Sequence, residues 1–348
     1  MKRGARIAIV AMFAAILFGI AGTAGAQTLL GAGASFPAPV YTKMFDAYNK
    51  ATGVKVNYQA IGSSGGLKNI QDKVVDFGGS DSFVKDSDMG KYGAPIVHVP
   101  TVLGAVVIVY NLPGNPTLRL TGEVIANIYL GKIAKWNDKA IADLNPGIKL
   151  PAMDIVQVYR SDGSGTTFNF TAYLSAVSPE WKQVVGNANS VQWPAGQGAA
   201  QNAGVAGMVK QIPGAIGYVE LAYARQNNMP VATIRNAAGN WIAPSLSSIS
   251  AAAAGAFPAD TRILLMHTDA REGYPISALT WLIVYREQSY GNRTREQAKA
   301  LVDLLWWMIH DGQAYAEPLD YAKLPDPAVK AAEAILKSIT WKGEPLLK

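Results

Sequence analysis

The chain has 348 residues, 49% of them hydrophobic, with 31 Lys and Arg residues against 25 Asp and Glu residues and no cysteine. The lack of cysteine excludes disulfides, iron–sulfur clusters and thiolate zinc sites, so packing alone must stabilise the fold. The basic residues are scattered, without the stripe of interleaved aromatic residues that nucleic-acid-binding proteins use, so we expect no nucleic-acid partner.

Residues 1–26 have the pattern of a secretory signal peptide. Three basic residues within the first six positions precede an apolar run from Ile7 to about Ile20, and small residues end the segment at Ala26. The run is shorter than the ~20 apolar residues of a spanning helix, and its A-x-A ending favours cleavage before Gln27. Because no cysteine follows the run, lipid attachment is excluded. We expect a free periplasmic protein that is monomeric in solution.

Residues 27–348 exceed the roughly 250–300 residues at which one hydrophobic core stops growing, so we expect two lobes. Short β-branched runs alternate with helical patterns along the chain, which predicts an α/β fold with helix-covered sheets. The predicted strands are 54–61, 96–110, 155–159 and 263–266. The predicted helices are 66–73, 123–129, 167–175 and 297–310, with Thr121 and Gly131 as caps of the second.

Three loops rich in Gly and Ser stand where a strand could lead into a helix: 31–37, 62–66 and 160–167. Small residues let the backbone approach a ligand, and the free N–H groups of a first helical turn attract anions. The third loop adds Arg160, whose planar guanidinium suits two phosphate oxygens, and Asp162, which could hold it in place. The alternative is ordinary helix capping, with an Asp-Gly turn and a solvated arginine.

Asp81 ends the run VVDFGGSD at 74–81, just after a probable strand, and its ordinary interpretation is a solvated or helix-capping residue. In an anion pocket, however, a carboxylate repels any anion that has no proton to donate. Phosphate carries such a proton at neutral pH, and sulfate does not. If sulfate entered the pocket, an oxygen of Asp81 and an oxygen of sulfate would be two buried acceptors with no donor between them. The same reasoning disfavours other unprotonated oxyanions such as molybdate. Arsenate, which is nearly isosteric and protonated, stays an alternative ligand.

A hydrolase is the alternative from another class of protein. The second loop fits G-x-S-x-G, the pattern of a nucleophile elbow. A catalytic triad would need a histidine, and the chain has only His98, His267 and His310. His98 lies in an apolar run and His310 in a Trp-rich helix, which are typical positions of structural histidines. The sequence has no P-loop lysine and no carboxylate-rich metal motif, so we predict no enzyme, no metal and no cofactor.

Several longer motifs follow one another in a fixed order. They are GAGASFPAPVY at 31–41, YQAIGSSGG at 58–66, VDFGGSD at 75–81, YLGKI at 129–133, DGSGT at 162–166 and PGAIGYVE at 213–220. Together they resemble the phosphate-binding subunit of the bacterial high-affinity phosphate ABC transporter. The resemblance implies a type II periplasmic binding protein fold, two α/β lobes joined by a hinge, with phosphate in the cleft. It also implies delivery of phosphate to the permease subunits of an ABC importer.

The same resemblance assigns phosphate ligands residue by residue. The implied ligands are the hydroxyl and amide of Ser35, the amides of Phe36 and Gly165, Ser63, Arg160, Ser164, Thr166, and Asp81 as the acceptor of the phosphate proton. Asp162 would orient Arg160. The usual threonine before the Phe-Pro pair is Ser35 in this chain, which keeps the hydroxyl and loses a packed methyl. We expect a modest effect of that difference on affinity.

Lobe boundaries also follow from the resemblance. It implies that lobe I consists of residues 27–102 and 276–348, and lobe II of residues 103–275. The carboxy-terminal helices, 301–310 and 327–339, would pack on lobe I. Trp306, Trp307 and Met308 lie at helical spacing among apolar neighbours and are expected to pack in the core.

Overall fold

A computed structural model of the chain describes residues 27–347. The predicted signal peptide, residues 1–26, lies outside the described residues. Within the part that is described, no helix has both the length and the apolar character needed to cross a membrane.

Strands and helices alternate along most of the chain. The strands are β1 Thr28–Gly33, β2 Lys55–Ala60, β3 Phe77–Ser80, β4 Ile96–Tyr110, β5 Arg119–Leu120, β6 Val156–Arg160, β7 Gln197–Ala199, β8 Ala215–Glu220, β9 Thr233–Arg235, β10 Trp241–Ile242, β11 Ser277–Tyr285, β12 Thr340–Trp341 and β13 Glu344–Pro345. The α-helices are α1 Ala38–Thr52, α2 Ser63–Gln71, α3 Asp86–Met89, α4 Gly122–Tyr129, α5 Lys139–Ala142, α6 Gly165–Val177, α7 Pro179–Val184, α8 Gln201–Gln211, α9 Leu221–Gln226, α10 Leu246–Ala252, α11 Arg295–Ile309 and α12 Asp326–Lys337. This alternation confirms the predicted α/β class.

The centre of the fold is an eight-stranded sheet in the order β2-β1-β3-β11-β4-β8-β6-β7. β4 lies inside the sheet and joins its two parts, because residues 96–105 pair antiparallel with β11 and residues 106–110 pair antiparallel with β8. We call β2, β1, β3 and β11 the first half of the sheet, and β8, β6 and β7 the second half. β1 is parallel to β2 and β3, and β6 is parallel to β7 and β8, so helices must connect these strands.

The continuous apolar run in the sequence explains β4, whose 15 residues are all buried. Its predicted bounds are confirmed, and the predicted strands 54–61 and 155–159 overlap β2 and β6. The predicted helices overlap α2, α4, α6 and α11. The prediction of a strand at 263–266 is wrong. That segment makes only an isolated bridge between Met266 and Ile276, which lies just before β11.

The predicted cap of α4 is confirmed, whereas the expected core packing of Trp306, Trp307 and Met308 is confirmed only for Met308, since both tryptophans are half-buried at the edge of the core. The Thr121 hydroxyl accepts a hydrogen bond from the Val124 amide at 3.3 Å and so caps α4, and Gly131 follows that helix with φ of 75°. At the carboxy-terminal end, Met308 is fully buried. The Trp307 ring lies 5.3 Å from the Tyr48 ring, so α11 packs on α1.

Gly33 ends β1 at a point where the backbone of β3 leaves no space for a side chain. Its φ is 147°, and a Cβ atom there would lie 2.0 Å from the carbonyl oxygen of Gly79. We expect Gly33→Ala to lower the free energy of unfolding by about 3 kcal/mol, since it combines backbone strain with overpacking. Urea denaturation measures the change.

The matched control is Gly207→Ala in α8, where a Cβ atom would meet nothing within 4 Å. Alanine has the higher helix propensity, so this variant should be unchanged or more stable by up to about 1 kcal/mol. Equal effects of the two substitutions would contradict the packing argument for Gly33.

Candidate functional site

The first loop is held by side chains from distant parts of the chain. Ser35 is buried between β1 and α1, and its hydroxyl accepts hydrogen bonds from the amide nitrogen and the Nδ2 atom of Asn202 at 3.3 and 3.0 Å. The Tyr223 hydroxyl donates to the Ser35 carbonyl at 2.7 Å, and the Tyr321 hydroxyl donates to the Phe36 carbonyl at 2.6 Å. The backbone of this loop is therefore fixed from both halves of the sheet.

The second loop meets the start of α6 directly. The Ser63 hydroxyl, in the first turn of α2, accepts hydrogen bonds from the amides of Asp81 at 3.2 Å and Gly165 at 3.0 Å. Asp81 follows β3, and its Oδ1 atom accepts a 2.8 Å bond from the Thr280 hydroxyl of β11. The side-chain Nδ2 atom of Asn169 donates to the backbone carbonyl of Asp81 at 2.7 Å. Asp81 is thus buried where the two halves of the sheet come together.

The third loop carries a buried ion pair. Arg160 ends β6 with a side chain only 1% exposed, and its Nε and Nη2 atoms donate to the two carboxylate oxygens of Asp162 at 2.7 and 2.5 Å. Its Nη1 atom donates to the Thr166 hydroxyl at 3.3 Å. Ser164 is the N-cap of α6 and accepts from the Thr167 amide at 3.1 Å. The alternative of a solvated Arg160 is therefore wrong.

These loops come together because each follows the carboxyl end of a strand in the central sheet, which is where α/β proteins place their ligand sites. Loop 31–37 includes the end of β1, loop 62–66 follows β2, Asp81 follows β3, and loop 160–167 begins at the last residue of β6. The predicted site residues lie in one largely buried cluster: Ser35, Phe36, Ser63, Asp81, Arg160, Ser164, Gly165 and Thr166 are buried and Asp162 is half-buried. Hydroxyls, amides and one guanidinium in such a cluster can bind a small oxyanion.

The two carboxyl groups of the site have opposite electrostatic environments. Burial raises the pKa of Asp81 to about 7, although hydrogen bonding to Thr280, the charge of Arg160 and Ser63 act in the other direction. Burial also acts to raise the pKa of Asp162, but the hydrogen bonds and charge of Arg160 outweigh it and hold that pKa below its usual range. Asp162 is therefore the ionised partner of Arg160, and Asp81 is the carboxyl that can share a proton near neutral pH.

Several residues that complete the cluster belong to none of the sequence motifs. Asn202 contacts two of the predicted hydroxyls, Thr280 bonds Asp81, and Tyr223 bonds the first loop. Gln201 has φ of 62°, donates its amide to Asp162 at 2.9 Å and donates its side chain to the Ala60 carbonyl at 2.6 Å. Each of these contacts joins residues far apart in sequence, so local patterns gave no signal for them.

The histidines do not support the hydrolase alternative. The Ser64 hydroxyl accepts a hydrogen bond from the side-chain Nδ2 atom of Asn189 at 3.2 Å. The Nε2 atom of His98 accepts from the Val84 amide at 3.0 Å, and His310 bonds a carbonyl of α11 and a carboxylate of α12. Among residues 27–347, no hydrogen bond joins a histidine to Ser64, so the second loop lacks the base that a nucleophile elbow requires.

Comparison with known proteins decides the family. A family profile described as a PBP superfamily domain matches residues 20–309. The phosphate-binding protein PstS of Pasteurella multocida is 44% identical over 340 residues, which cover 96% of this chain and 96% of that protein. PstS of Xylella fastidiosa strain Temecula1 is 46% identical over 311 residues, which cover 87% of this chain and 83% of that protein. The chain belongs to the PstS family of phosphate-binding proteins.

Solved structures agree with the PstS family in fold. The phosphate-binding protein of Stenotrophomonas maltophilia is 20% identical, with a TM-score of 0.68, over 89% of this chain and 94% of that one. The phosphate-bound PfluDING protein, described as a high-affinity periplasmic phosphate-binding protein, is 20% identical with a TM-score of 0.70, over 88% of this chain and 93% of that one. The predicted type II periplasmic binding protein fold is confirmed. PstS proteins are substrate-binding proteins of transporters, so this chain is not an enzyme.

The raised pKa of Asp81 gives a prediction about the stability of the ligand-free protein. The folded-state pKa of about 7 lies above the ordinary value of 3.8, so between these pH values the unfolded chain has lost a proton that the folded protein keeps. Stability should therefore fall as the pH rises from 4 to 7. Asp81→Asn removes this loss, and we expect it to raise the free energy of unfolding at pH 8 by about 2 kcal/mol and to change it little at pH 4.

Urea denaturation at several pH values measures this difference. The control is Asp162→Asn, which breaks the buried pair with Arg160 and should lower stability at pH 8 instead. A difference between wild type and Asp81→Asn that does not vary with pH would show that the buried carboxyl is not the cause.

Proposed function

We propose that this protein binds inorganic phosphate with high affinity between the two halves of its central sheet and delivers it to the permease subunits of an ABC importer. The observation that carries the proposal is the cluster of neutral donors around one buried arginine and one buried carboxyl. Membership of the PstS family supports the same ligand. Arsenate has the same shape and carries a proton, so we expect it to bind as well.

The charge of the site suits an anion that is stripped of water. Asp162 pairs with Arg160, so the arginine is held in one orientation and much of its charge is already balanced. Most of the attraction would then come from neutral N–H and O–H groups, whose hydrogen bonds to an anion are charge-assisted. The proposed donors are the hydroxyls of Ser35, Ser63, Ser164 and Thr166, the amides of Ser35, Phe36 and Gly165, and the Arg160 guanidinium.

Asp81 would select phosphate by accepting its proton. The Oδ1 atom of Asp81 is engaged by the Thr280 hydroxyl at 2.8 Å, whereas the Oδ2 atom has only a long 3.4 Å contact with the Ser63 hydroxyl. Oδ2 is therefore the oxygen left to accept a phosphate O–H. Sulfate offers no proton at neutral pH, so the same oxygen would face another acceptor in a buried site.

Phosphate would enter and leave by hinge motion of two lobes. We propose the division of residues 27–102 and 276–348 from residues 103–275. Several hydrogen bonds cross between them near the site, including Ser64 amide to Gly163 carbonyl at 3.0 Å and the Gly165 amide to Ser63 at 3.0 Å. Opening the cleft would break these contacts, and β4 together with the chain at residues 275–276 would act as the hinge.

The proposed cellular route begins with export. The leader pattern at residues 1–26 and the periplasmic role of PstS proteins support release of the protein into the periplasm, where we propose that it is a free monomer. The phosphate-bound, closed form would then dock on the permease, because only a protein that presents a different surface when loaded can signal that it carries a ligand.

Titration calorimetry of the purified, phosphate-stripped protein at neutral pH tests the ligand. We expect one-to-one binding of phosphate and no heat with sulfate. Arg160→Ala should weaken phosphate binding by about 100-fold or more, because it removes a charged donor and leaves the half-buried Asp162 carboxylate without its partner. The control Arg235→Ala removes a surface arginine whose side chain donates to the nearby Gly239 carbonyl, and its affinity should equal that of wild type. Unchanged affinity in Arg160→Ala would remove Arg160 from the site.

The role of Asp81 has its own test. Asp81→Asn should allow sulfate to bind, at least 10-fold more tightly than to wild type, because an amide can donate where a carboxylate cannot. The control is Asp86→Asn, which changes a surface carboxylate paired with Arg262 and should leave sulfate rejection intact. Full rejection of sulfate by Asp81→Asn would show that another group discriminates between the two anions.

A further inference from the structure

The orientation of Asn202 is determined by its surroundings. The residue lies in the first turn of α8 and is fully buried. Its Oδ1 atom accepts a hydrogen bond from the backbone amide of Glu220 at 2.9 Å. A backbone N–H can only donate, so the oxygen of the Asn202 side chain must face Glu220 and the Nδ2 atom must face the opposite way.

On that opposite side, Nδ2 lies between two hydroxyls of the proposed phosphate site. It donates to Ser35 Oγ at 3.0 Å and to Thr166 Oγ1 at 3.2 Å, which uses both of its hydrogens. Ser35 Oγ also accepts from the Asn202 backbone amide at 3.3 Å, and Thr166 Oγ1 also accepts from Arg160 at 3.3 Å. Each hydroxyl therefore accepts two hydrogen bonds from groups that can only donate.

A hydroxyl has two acceptor lone pairs and one hydrogen. With both lone pairs occupied, Ser35 and Thr166 can contribute only their hydrogens to a further partner. Within the described part of the chain, neither hydroxyl donates to a protein acceptor. Their hydrogens are thus available to an acceptor that enters the site.

We propose that Asn202 is a positioning residue that turns the hydroxyls of Ser35 and Thr166 into donors towards phosphate. The inference rests on the proposed function of the site and adds a residue that acts through others rather than by contact with phosphate. It explains why these two hydroxyls, which could equally act as hydrogen-bond acceptors, act as donors to an anion. A ligand that had to reorient them would lose part of its binding free energy.

Asn202 also connects the two halves of the sheet. Ser35 follows β1 of the first half, whereas Thr166 lies on α6, after β6 of the second half. One amide group therefore commits a hydroxyl on each side of the cleft. Asn202 and Thr166 both lie in the proposed lobe of residues 103–275, so their contact does not depend on closure. The bonds from Asn202 to Ser35 cross the cleft, so the Ser35 hydroxyl becomes a donor only when the cleft closes.

A double-mutant cycle on phosphate affinity separates this role from simple bracing. We expect Asn202→Ala to weaken phosphate binding by roughly 10- to 100-fold in the otherwise wild-type protein. In a protein that already carries Ser35→Ala and Thr166→Val, the same substitution should weaken binding by less than about threefold, because the hydroxyls through which Asn202 acts are gone. If Asn202 only held α8 in place, Asn202→Ala would cause the same loss of phosphate affinity in both proteins. Such additive effects would overturn the proposal.

Ser164→Ala provides the control background. Ser164 is a proposed ligand that caps α6 and does not bond Asn202, so the full effect of Asn202→Ala should persist in it. Loss of the effect in that background would also overturn the proposal, since it would show a general response to weakened binding. If Asn202→Ala does not fold, as judged by thermal unfolding, Asn202→Leu takes its place, because leucine keeps a similar shape without the donor.

The wild-type titration distinguishes the two levels of inference. If the wild-type protein does not bind phosphate, the proposed function fails and the role of Asn202 fails with it. If the wild-type protein binds phosphate and the cycle is additive, the function stands and only the positioning role is lost.

Discussion

The pairing of β4 with both halves of the central sheet is the constraint on which the site depends. All 15 residues of this strand are buried, and a shift of register by one residue would turn each side chain to the opposite face. Near its middle, Gly104 leaves room for the ring of Phe36, since a Cβ atom there would lie 2.6 Å from that ring. The first loop is thereby placed against the junction of the halves. The loops after β2, β3 and β6 reach the same junction because their strands are held in register with β4 through β11 and β8.

The two carboxyl groups of the site, Asp162 and Asp81, have different roles near an anion. Asp162 is ionised and bound to Arg160, so it orients a cation and its own charge is largely compensated. Asp81 is buried beside Thr280 with one oxygen weakly engaged, and burial raises its pKa to about 7. A carboxyl with such a pKa can share a proton with a ligand that also titrates near neutrality. Similar side chains thus have different roles because their surroundings differ, which a sequence pattern does not record.

The parts of the fold that the sequence could predict are those with a strong local signal. β4 is a long apolar run, and the Gly/Ser loops with Arg160 and Asp81 carry motifs that resemble a known family. The wrong strand at 263–266 shows the limit, because whether an apolar segment becomes a strand depends on a partner strand elsewhere in the chain, and this segment makes only one bridge. Asn202 and Thr280 lie outside any motif we recognised. Their roles arise from contacts across more than 150 residues of sequence, to Ser35 and Asp81 respectively, and only the folded chain brings these atoms together.

The donors of the site are already hydrogen-bonded to one another, and this affects how tightly an anion can be held. The amides of Gly165 and Asp81 both donate to the Ser63 hydroxyl, at 3.0 and 3.2 Å. A phosphate must replace some of these bonds, so its binding is an exchange and not a simple gain. Hydrogen bonds to an ionised acceptor are about twice as strong as those between neutral groups, so the exchange favours the anion. A neutral ligand of the same size would gain no such advantage. The preference for an anion therefore comes from internal competition among the donors as well as from the charge of Arg160.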